Sequence, residues 1–402
     1  MTSQDHSNRE TKTYKPNLYR AYSRGRNMSG KVLVTGGCGF IGSWTVDLLI
    51  EKGYDVVVLD NLEWQVHRGR MPEWINPKAC YVFGDLRDYR LLREIISDVD
   101  YVIHLAALVG IGQSMYEVER YTDVNVRGTA ALLESIINSN SDVKKVVVAS
   151  SMNVYGEGKY YCETCGEYKV VQSRSLEQLR KRIWNPLCPD CGQELKPVPT
   201  DENKSLNPLS IYAWTKLAQE QLSMIIGRAY GIPVVVLRYF NVYGPRQSLS
   251  NPYAGVCAIF ICRLLNGKPP YIFEDGGQLR DFVYVKDVAE ANILALERRA
   301  CDYQVINIGT SKPISILRLA KEITAILKVD IEPHVTYKYR KGDIRHCFAD
   351  ISKAEKLLDW RPRTAIREGL RRLIEWALKG KWELMDRFDK VYEEMERKGI
   401  LI

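Results

Sequence analysis

Long apolar runs are missing from this chain: nothing in its 402 residues approaches the roughly 18 that a membrane-spanning helix needs, which excludes a helical membrane protein. The opening segment lacks the apolar core of a secretory signal, and acidic residues with Pro16 interrupt any amphipathic transit helix, so a reducing, cytoplasmic setting is the expectation. Internal repeats and low-complexity tracts are also absent, which removes solenoids and collagen-like chains. A dominant charge of one sign disappears once the net +8 is located. Residues 1–29 form a short polar tail in which Arg9, Lys12, Lys15, Arg20, Arg24 and Arg26 face only Asp5 and Glu10, half of the excess. With no RNA- or DNA-binding motif in the sequence, no nucleic-acid or membrane partner is expected. What remains, 46% hydrophobic and 26% charged, is the composition of a soluble globular protein.

Cysteine, in contrast, is plentiful, and its positions matter. Of ten, Cys38, Cys80, Cys257, Cys262, Cys301 and Cys347 are scattered through apolar sequence, as buried thiols are. The other four form the pairs Cys162-x-x-Cys165-Gly and Cys188-Pro-x-Cys191-Gly. Each pair can present two thiolates from one tight turn, and four thiolates fill a tetrahedral zinc with no place left for water. A structural zinc is therefore expected, holding together an insert too small to build its own core. A redox dithiol pair and four unrelated thiols are the competing readings.

From residue 31 a rhythm of short β-branched run, turn and helix-like segment sets in: KVLVTG (31–36), DVVVLD (55–60), CYVFGD (80–85), DYVIHLAA (100–107), KKVVVASS (144–151) and PVVVLRYF (233–240). Runs apolar on consecutive positions suit strands buried on both faces, so the fold class is α/β, a doubly wound parallel sheet of Rossmann type. Residues 30–156 and 206–245 are expected to form this domain, with 157–205 an inserted zinc-ribbon-like module. Shorter strand-like pieces then alternate with helices, which predicts a smaller mixed α/β lobe over 246–375 and a C-terminal helix over 376–402.

Directly after the first strand, TGGCGFIGSW places Gly36, Gly39 and Gly42 ahead of a helix, the arrangement that lets a backbone approach a pyrophosphate at a helix N-terminus. Asp60, 18 residues past Gly42, ends the second run, where a carboxylate can accept both hydroxyls of an adenosine ribose; NAD is therefore favoured over NADP. Phe40, Ile41 and Asn61 belong to the same cradle, and Asp85 with Leu86, ending the third run, are candidates for the adenine pocket. Further along, Tyr212 and Lys216 stand four apart on a predicted helix, hence on one face. With 24 tyrosines and 26 lysines, one or two Tyr-x-x-x-Lys matches arise by chance, and the chain has three, at Tyr155, Tyr212 and Tyr337. Position selects Tyr212, which follows the SSMNVYG segment at the carboxyl end of a sheet strand, where open α/β folds hold their ligands.

Taken together, TGGCGFIG, Asp60, HLAA (104–107), SSMNVYG (150–156), YAWTK (212–216), RYFNVYGPR (238–246) and RDFVYVKDV (280–288) resemble the extended short-chain dehydrogenase/reductase family, specifically its nucleotide-sugar epimerases and dehydratases. The resemblance implies a catalytic Tyr212, a Lys216 that lowers the phenol's pKa and holds the nicotinamide ribose, and a Ser151 bonded to the reacting oxygen, with Ser150 as its rival. It adds Leu105, Ala106 and Ala107 to the NAD site, and gives Asn153, Asn241, Arg280 and Arg345, beside Ser151 and Tyr212, to a nucleotide-diphosphate sugar. Dehydratases of the family carry Asp-Glu after the serine or threonine, and sugar-acid decarboxylases a Glu in the second position; here Met152 and Asn153 stand there. That favours epimerisation at C4 through a 4-keto sugar over elimination, with a nucleotide-sugar ketoreductase or dehydrogenase as the alternative. The insertion and the 251–276 segment resemble the dTDP-L-rhamnose 4-epimerase-like branch more than the UDP-galactose branch. A homodimer, built on the Tyr-Lys helix and the helix near 116–140, is implied as well. Because the module separates Ser151 from Tyr212, it is expected to act as a lid or wall over the pocket, or as an oligomer contact.

Overall fold

The computed structural model describes residues 29–139, 142–253, 255–380 and 384–402; the basic tail lies outside them apart from Ser29. In chain order its strands are β1 (Lys31–Thr35), β2 (Asp55–Asp60), β3 (Cys80–Phe83), β4 (Tyr101–His104), β5 (Lys145–Ser151), β6 (Lys159–Cys162), β7 (Glu167–Lys169), β8 (Lys196–Val198), β9 (Val234–Tyr239), β10 (Asn241–Tyr243), β11 (Tyr271–Ile272), β12 (Leu279–Tyr284), β13 (Val305–Ile308), β14 (Pro313–Ser315), β15 (His334–Val335) and β16 (His346–Cys347). Every one of the six apolar runs becomes a strand of one parallel seven-stranded sheet, ordered β13-β9-β5-β4-β1-β2-β3. Consecutive apolar residues suit it because alternate side chains enter different cores. Val32 and Val34 face the helices Phe40–Glu51 and Val285–Glu297, while Leu33 faces Tyr89–Ile96 and Gly128–Ile137. Strand order reverses between β1 and β4, and at such a point the loops leaving the carboxyl ends open a crevice.

Two boundaries differ from the sequence expectation. QVINIG, placed in the smaller lobe by its sequence position, supplies β13, the edge strand beside β9, and the Val285–Glu297 helix packs on the main sheet. The run was too short to reveal which sheet it joins. The C-terminal region is likewise two helices: Ile366–Lys379, whose Leu370, Leu373 and Ile374 enter the smaller lobe's core, and Phe388–Arg397. That lobe gathers β10, β12, β14 and β16 with helices Val256–Leu265 and Ile316–Leu327. The cysteine module folds as an antiparallel sheet β7-β6-β8. Among the described residues no helix is long and apolar enough to cross a membrane.

Candidate active site

The crevice is lined first by the glycine loop. After β1 the chain turns at Gly36 with φ +72°, a region that L-side chains enter only with strain, and a Cβ there would lie 2.9 Å from the Ala106 backbone. At Gly42 a Cβ would sit 2.1 Å from the Gly36 carbonyl oxygen, so this glycine is what lets the helix close on the turn. Gly39 is less constrained, with 3.2 Å of room, and serves as the helix N-cap. The Phe40–Glu51 helix starts with no side-chain cap and no acidic residue in its first turn, leaving its N–H groups and positive dipole end open to an anion. Asp60 is fixed at the end of β2, its carboxylate accepting from Cys38 N (3.0 Å) and Leu62 N (2.9 Å). This donor set fits the diphosphate and ribose of a dinucleotide.

Leu105–Ala107, following β4, lie against that loop, with Leu105 N and Ala106 N donating to Thr35. Asp85 is held by Arg87 and Asn61 at the rim, and the Arg87 guanidinium lowers its carboxyl to about 2. Leu86 is buried against Gly128.

On the far side of the crevice, Ser210 caps the helix Ile211–Tyr230 by accepting from Ala213 N (3.2 Å), and Gly231 ends it in the left-handed region. This helix presents Tyr212 and Lys216 together, and Ser114 Oγ accepts from Tyr212 N at 3.0 Å, fixing its first turn. Burial pushes the Tyr212 phenol up to about 12, opposed by a side-chain hydrogen bond with Ser151. Burial lowers the Lys216 ammonium to about 7, opposed by the charge of Glu220; its Nζ donates to Gln219 Oε1 at 2.7 Å. Ser151 ends β5 and accepts from Asn153 N and Nδ2 at 3.2 and 3.0 Å, which holds its hydroxyl oxygen at the mouth of the strand. Ser150 also borders the cleft, but its hydroxyl donates to the buried Glu220.

A cleft of about 210 Å³ joins these elements, lined by Phe40, Ile41, Ser150, Ser151, Asn153, Tyr212 and Asn241 together with Val109, Met152, Gln247 and Phe282. Asn241 Oδ1 and Gln247 Oε1 are buried there without a hydrogen-bond partner, two acceptors that a hydroxyl-rich ligand would satisfy. Among the described residues, none lining the cleft carries a carboxylate.

The two arginines are placed elsewhere. Arg280 donates to the backbone oxygens of Ile344 (2.6 Å) and Arg345 (2.9 Å), clamping the chain next to β16. Arg345 is buried in a charge network with Glu274 (2.8 Å), Asp275 (2.6 Å) and the module's Asn185 (2.9 Å), while its backbone N–H donates to Glu157 (2.8 Å). Arg174 of the module reaches the same Glu274 at 2.9 Å. The module thus docks on the smaller lobe through buried ion pairs, and Gly158 N and Thr200 N, donating to His346 and Phe348 (both 2.8 Å), stitch its two ends there. The lining of the cleft lies outside residues 157–205. Gln113, Asn125, Gln219 and Glu220, not singled out from sequence, are buried around the pair; the signal for the last two was their spacing of three and four from Lys216.

Within the module, the Sγ atoms of Cys162, Cys165, Cys188 and Cys191 all lie within 4.8 Å of one another, with Cys162–Cys191 at 3.5 Å and Cys165–Cys188 at 3.8 Å. Zn–S bonds of about 2.3 Å in a tetrahedron require sulfurs about 3.8 Å apart, so the cluster fits zinc. Gly166 and Gly192 close the two knuckles in the same way, at φ +73° and +72°, each donating to the carbonyl of its pair's first cysteine at 2.9 Å.

Sequence models agree with this geometry: that of the GDP-mannose 4,6 dehydratase family matches residues 33–175, and that of the NAD dependent epimerase/dehydratase family matches 187–309. A Methanocaldococcus jannaschii protein provisionally named a UDP-glucose 4-epimerase is 39% identical, over 86% of this chain and 97% of its own. The dTDP-L-rhamnose 4-epimerase of Burkholderia thailandensis is 36% identical, over 86% and 94%. The crystal structure of UDP-glucose 4-epimerase from Thermotoga maritima with UDP-glucose superposes with a TM-score of 0.72 at 36% identity, covering 87% of this chain and 99% of that one. A glycine cradle for a dinucleotide, a Tyr-Lys helix facing a serine strand end, and relatives matched along nearly their full length lead to one assignment: the chain belongs to the NAD dependent epimerase/dehydratase family of nucleotide-sugar enzymes.

Proposed function

We propose that the protein is an NAD-dependent nucleotide-sugar 4-epimerase acting on a dTDP- or UDP-sugar of the dTDP-L-rhamnose-like branch. The observation that carries this reading is that Tyr212 and Ser151 line one cleft, with Lys216 on the same helix as Tyr212, and that this cleft reaches the glycine loop and has no carboxylate among its described lining residues. Gly36, Gly39, Phe40, Ile41, Gly42, Asp60 and Leu105–Ala107 hold the dinucleotide, with Asn61, Asp85 and Leu86 toward its adenine end. Bound NAD supplies reversible oxidation of a sugar carbinol carbon. Tyr212 Oη takes the proton from the C4 hydroxyl, and Ser151 donates to the same oxygen and holds it in line. Lys216, as an ammonium, stabilises the phenolate that takes this proton, and the resulting phenol returns it to the sugar oxygen after the 4-keto ring has turned. Elimination needs an acid to protonate the leaving hydroxyl, and Met152 and Asn153 offer none. Asn241 and Asn153 contact the sugar nucleotide. Arg280 and Arg345 support that lobe from behind, since Nη1 and Nη2 of Arg280 and all three guanidinium nitrogens of Arg345 donate to protein acceptors.

Cys162, Cys165, Cys188 and Cys191 bind a structural zinc, and the module braces the smaller lobe. Exposed Trp214 and Ile225, three turns apart on the Tyr-Lys helix, and Val118 on the helical stretch before β5 support a homodimer. The test is incubation, without added cofactor, with UDP-, dTDP-, GDP- and CDP-sugars followed by chromatography of product epimers. Interconversion of C4 epimers is expected. Stoichiometric consumption of added NADH overturns the reading in favour of a ketoreductase.

A further inference from the structure

Behind the Tyr212–Lys216–Ser151 group lies a carboxylate that the reaction described above does not use. Glu220 stands one turn beyond Lys216, on the same buried face of the helix, and its side chain is 4% exposed. Oε1 accepts from the Ser150 hydroxyl and from Arg238 Nε (2.9 Å), and Oε2 accepts from Arg238 Nη2 (2.8 Å). Ser150 of β5 and Arg238 of β9 are register partners in the sheet. Arg238 Nη1 continues to Tyr155 Oη (3.0 Å), which donates to Asn307 Oδ1 of β13 (2.7 Å). One side chain thus ties the catalytic helix to the carboxyl ends of neighbouring strands. A helix–sheet contact needs no ion pair, since apolar residues of similar volume would fill it without the desolvation cost. Lys216, four residues earlier on the same buried helix face, is the only ammonium on this helix.

We infer that Glu220 is a positioning residue for the catalytic step: it fixes the strand end that carries Ser151, through Ser150, and sets its negative charge beside the Lys216 ammonium. This rests on the proposed roles of Tyr212, Lys216 and Ser151. The groups around Lys216 are consistent with it. Gln219 accepts from Nζ, and beyond it lie Thr129 of the preceding helix and His104 of β4, an imidazole kept neutral by burial. Tyr212 on the same helix is a neutral phenol in this state, and Arg238 lies beyond Glu220 with its charge matched by it. The carboxylate opposes the effect of burial on Lys216, so its removal lets the ammonium lose its proton at lower pH, and Tyr212 then ionises only at higher pH.

The experiment compares wild type with Glu220→Gln, Glu220→Asp, Ser150→Ala and the charge-balanced double variant Glu220→Gln/Arg238→Met. The double variant leaves no buried charge unpaired if the single one fails to fold. Two readouts are taken on the NAD-loaded proteins: kcat and KM against pH for the sugar nucleotide turned over in the panel, and the ultraviolet titration of Tyr212, obtained as the difference from the same protein carrying Tyr212→Phe. Loss of the charge should move the phenolate midpoint up and lower kcat near pH 8 by about tenfold or more, with KM within about threefold. Ser150→Ala should lower kcat and leave the midpoint in place, and Glu220→Asp should restore the midpoint. A folded Glu220→Gln or double variant with the wild-type midpoint and pH profile overturns the electrostatic role, and wild-type kcat in Ser150→Ala overturns the positioning role. Failure of the wild type on every sugar nucleotide counts against the functional reading, and the phenolate titration still reports on Glu220.

Discussion

Replacing Arg345 with Met separates two roles that its position in GDIRH leaves open. The guanidinium lies 3% exposed among Glu274, Asp275 and Asn185, and Glu274 is shared with Arg174 of the cysteine module. Removing one member of a buried ion pair leaves the other charge uncompensated, at a cost of about 3–5 kcal/mol. Unfolding entropy of about 2 cal/mol/K per residue, taken over the described part of the chain, makes that a fall in Tm of about 4–7 °C. The assay is calorimetry of the NAD-loaded protein, paired with KM for the sugar nucleotide. Loss of stability with KM raised only a few-fold is expected, and Arg174→Met should be less than additive with it because both act on Glu274. An unchanged Tm with KM raised about 10- to 150-fold, the worth of a charge-assisted hydrogen bond to a ligand, would refute this reasoning and return Arg345 to the diphosphate.

Gly42→Ala should abolish NAD retention, because its Cβ would meet a carbonyl oxygen at 2.1 Å, whereas Gly39→Ala, with 3.2 Å of room, should retain NAD; chromatography of nucleotide released from the purified proteins distinguishes them. Tyr212→Phe should lower kcat by at least about 100-fold with NAD still bound, as expected for loss of the acid–base group. Cys162→Ser should lose zinc, measured by atomic absorption, and lower Tm through release of the module from the smaller lobe; unchanged Tm and kinetics would show the module to be dispensable. Below pH 6.5 the protein should lose stability progressively, because burial depresses the folded-state pKa of His104 and His346 to about 3. The unfolded chain then binds protons that the folded one excludes, and His104→Gln should flatten the Tm–pH curve in that window.

Much was legible without coordinates because it depends on local chemistry. Apolar runs on consecutive residues dictate strands buried twice, a glycine triplet between strand and helix dictates a phosphate-sized turn, and duplicated Cys-x-x-Cys-Gly knuckles dictate a four-sulfur cluster. Tyr212 and Lys216 needed only the helical repeat and their place after the SSMNVYG segment. Other features depend on which distant segments meet. Ser150 and Ser151 are chemically alike in sequence, and only the folded chain brings one to Glu220 and the other to Tyr212. The run QVINIG could join either sheet until its packing beside β9 was known. Arg280 and Arg345 read as phosphate ligands while their neighbours were unknown, but a cation goes where its acceptors are, and here the guanidinium acceptors come from residues up to 160 positions away. The sequence by itself determined the α/β class, the dinucleotide cradle, the Tyr-Lys pair and the sulfur cluster, since each is encoded within one turn or one strand. The tertiary structure decided which serine faces the phenol, where the module docks and which charges are paired, because those depend on side chains brought together only when the chain closes.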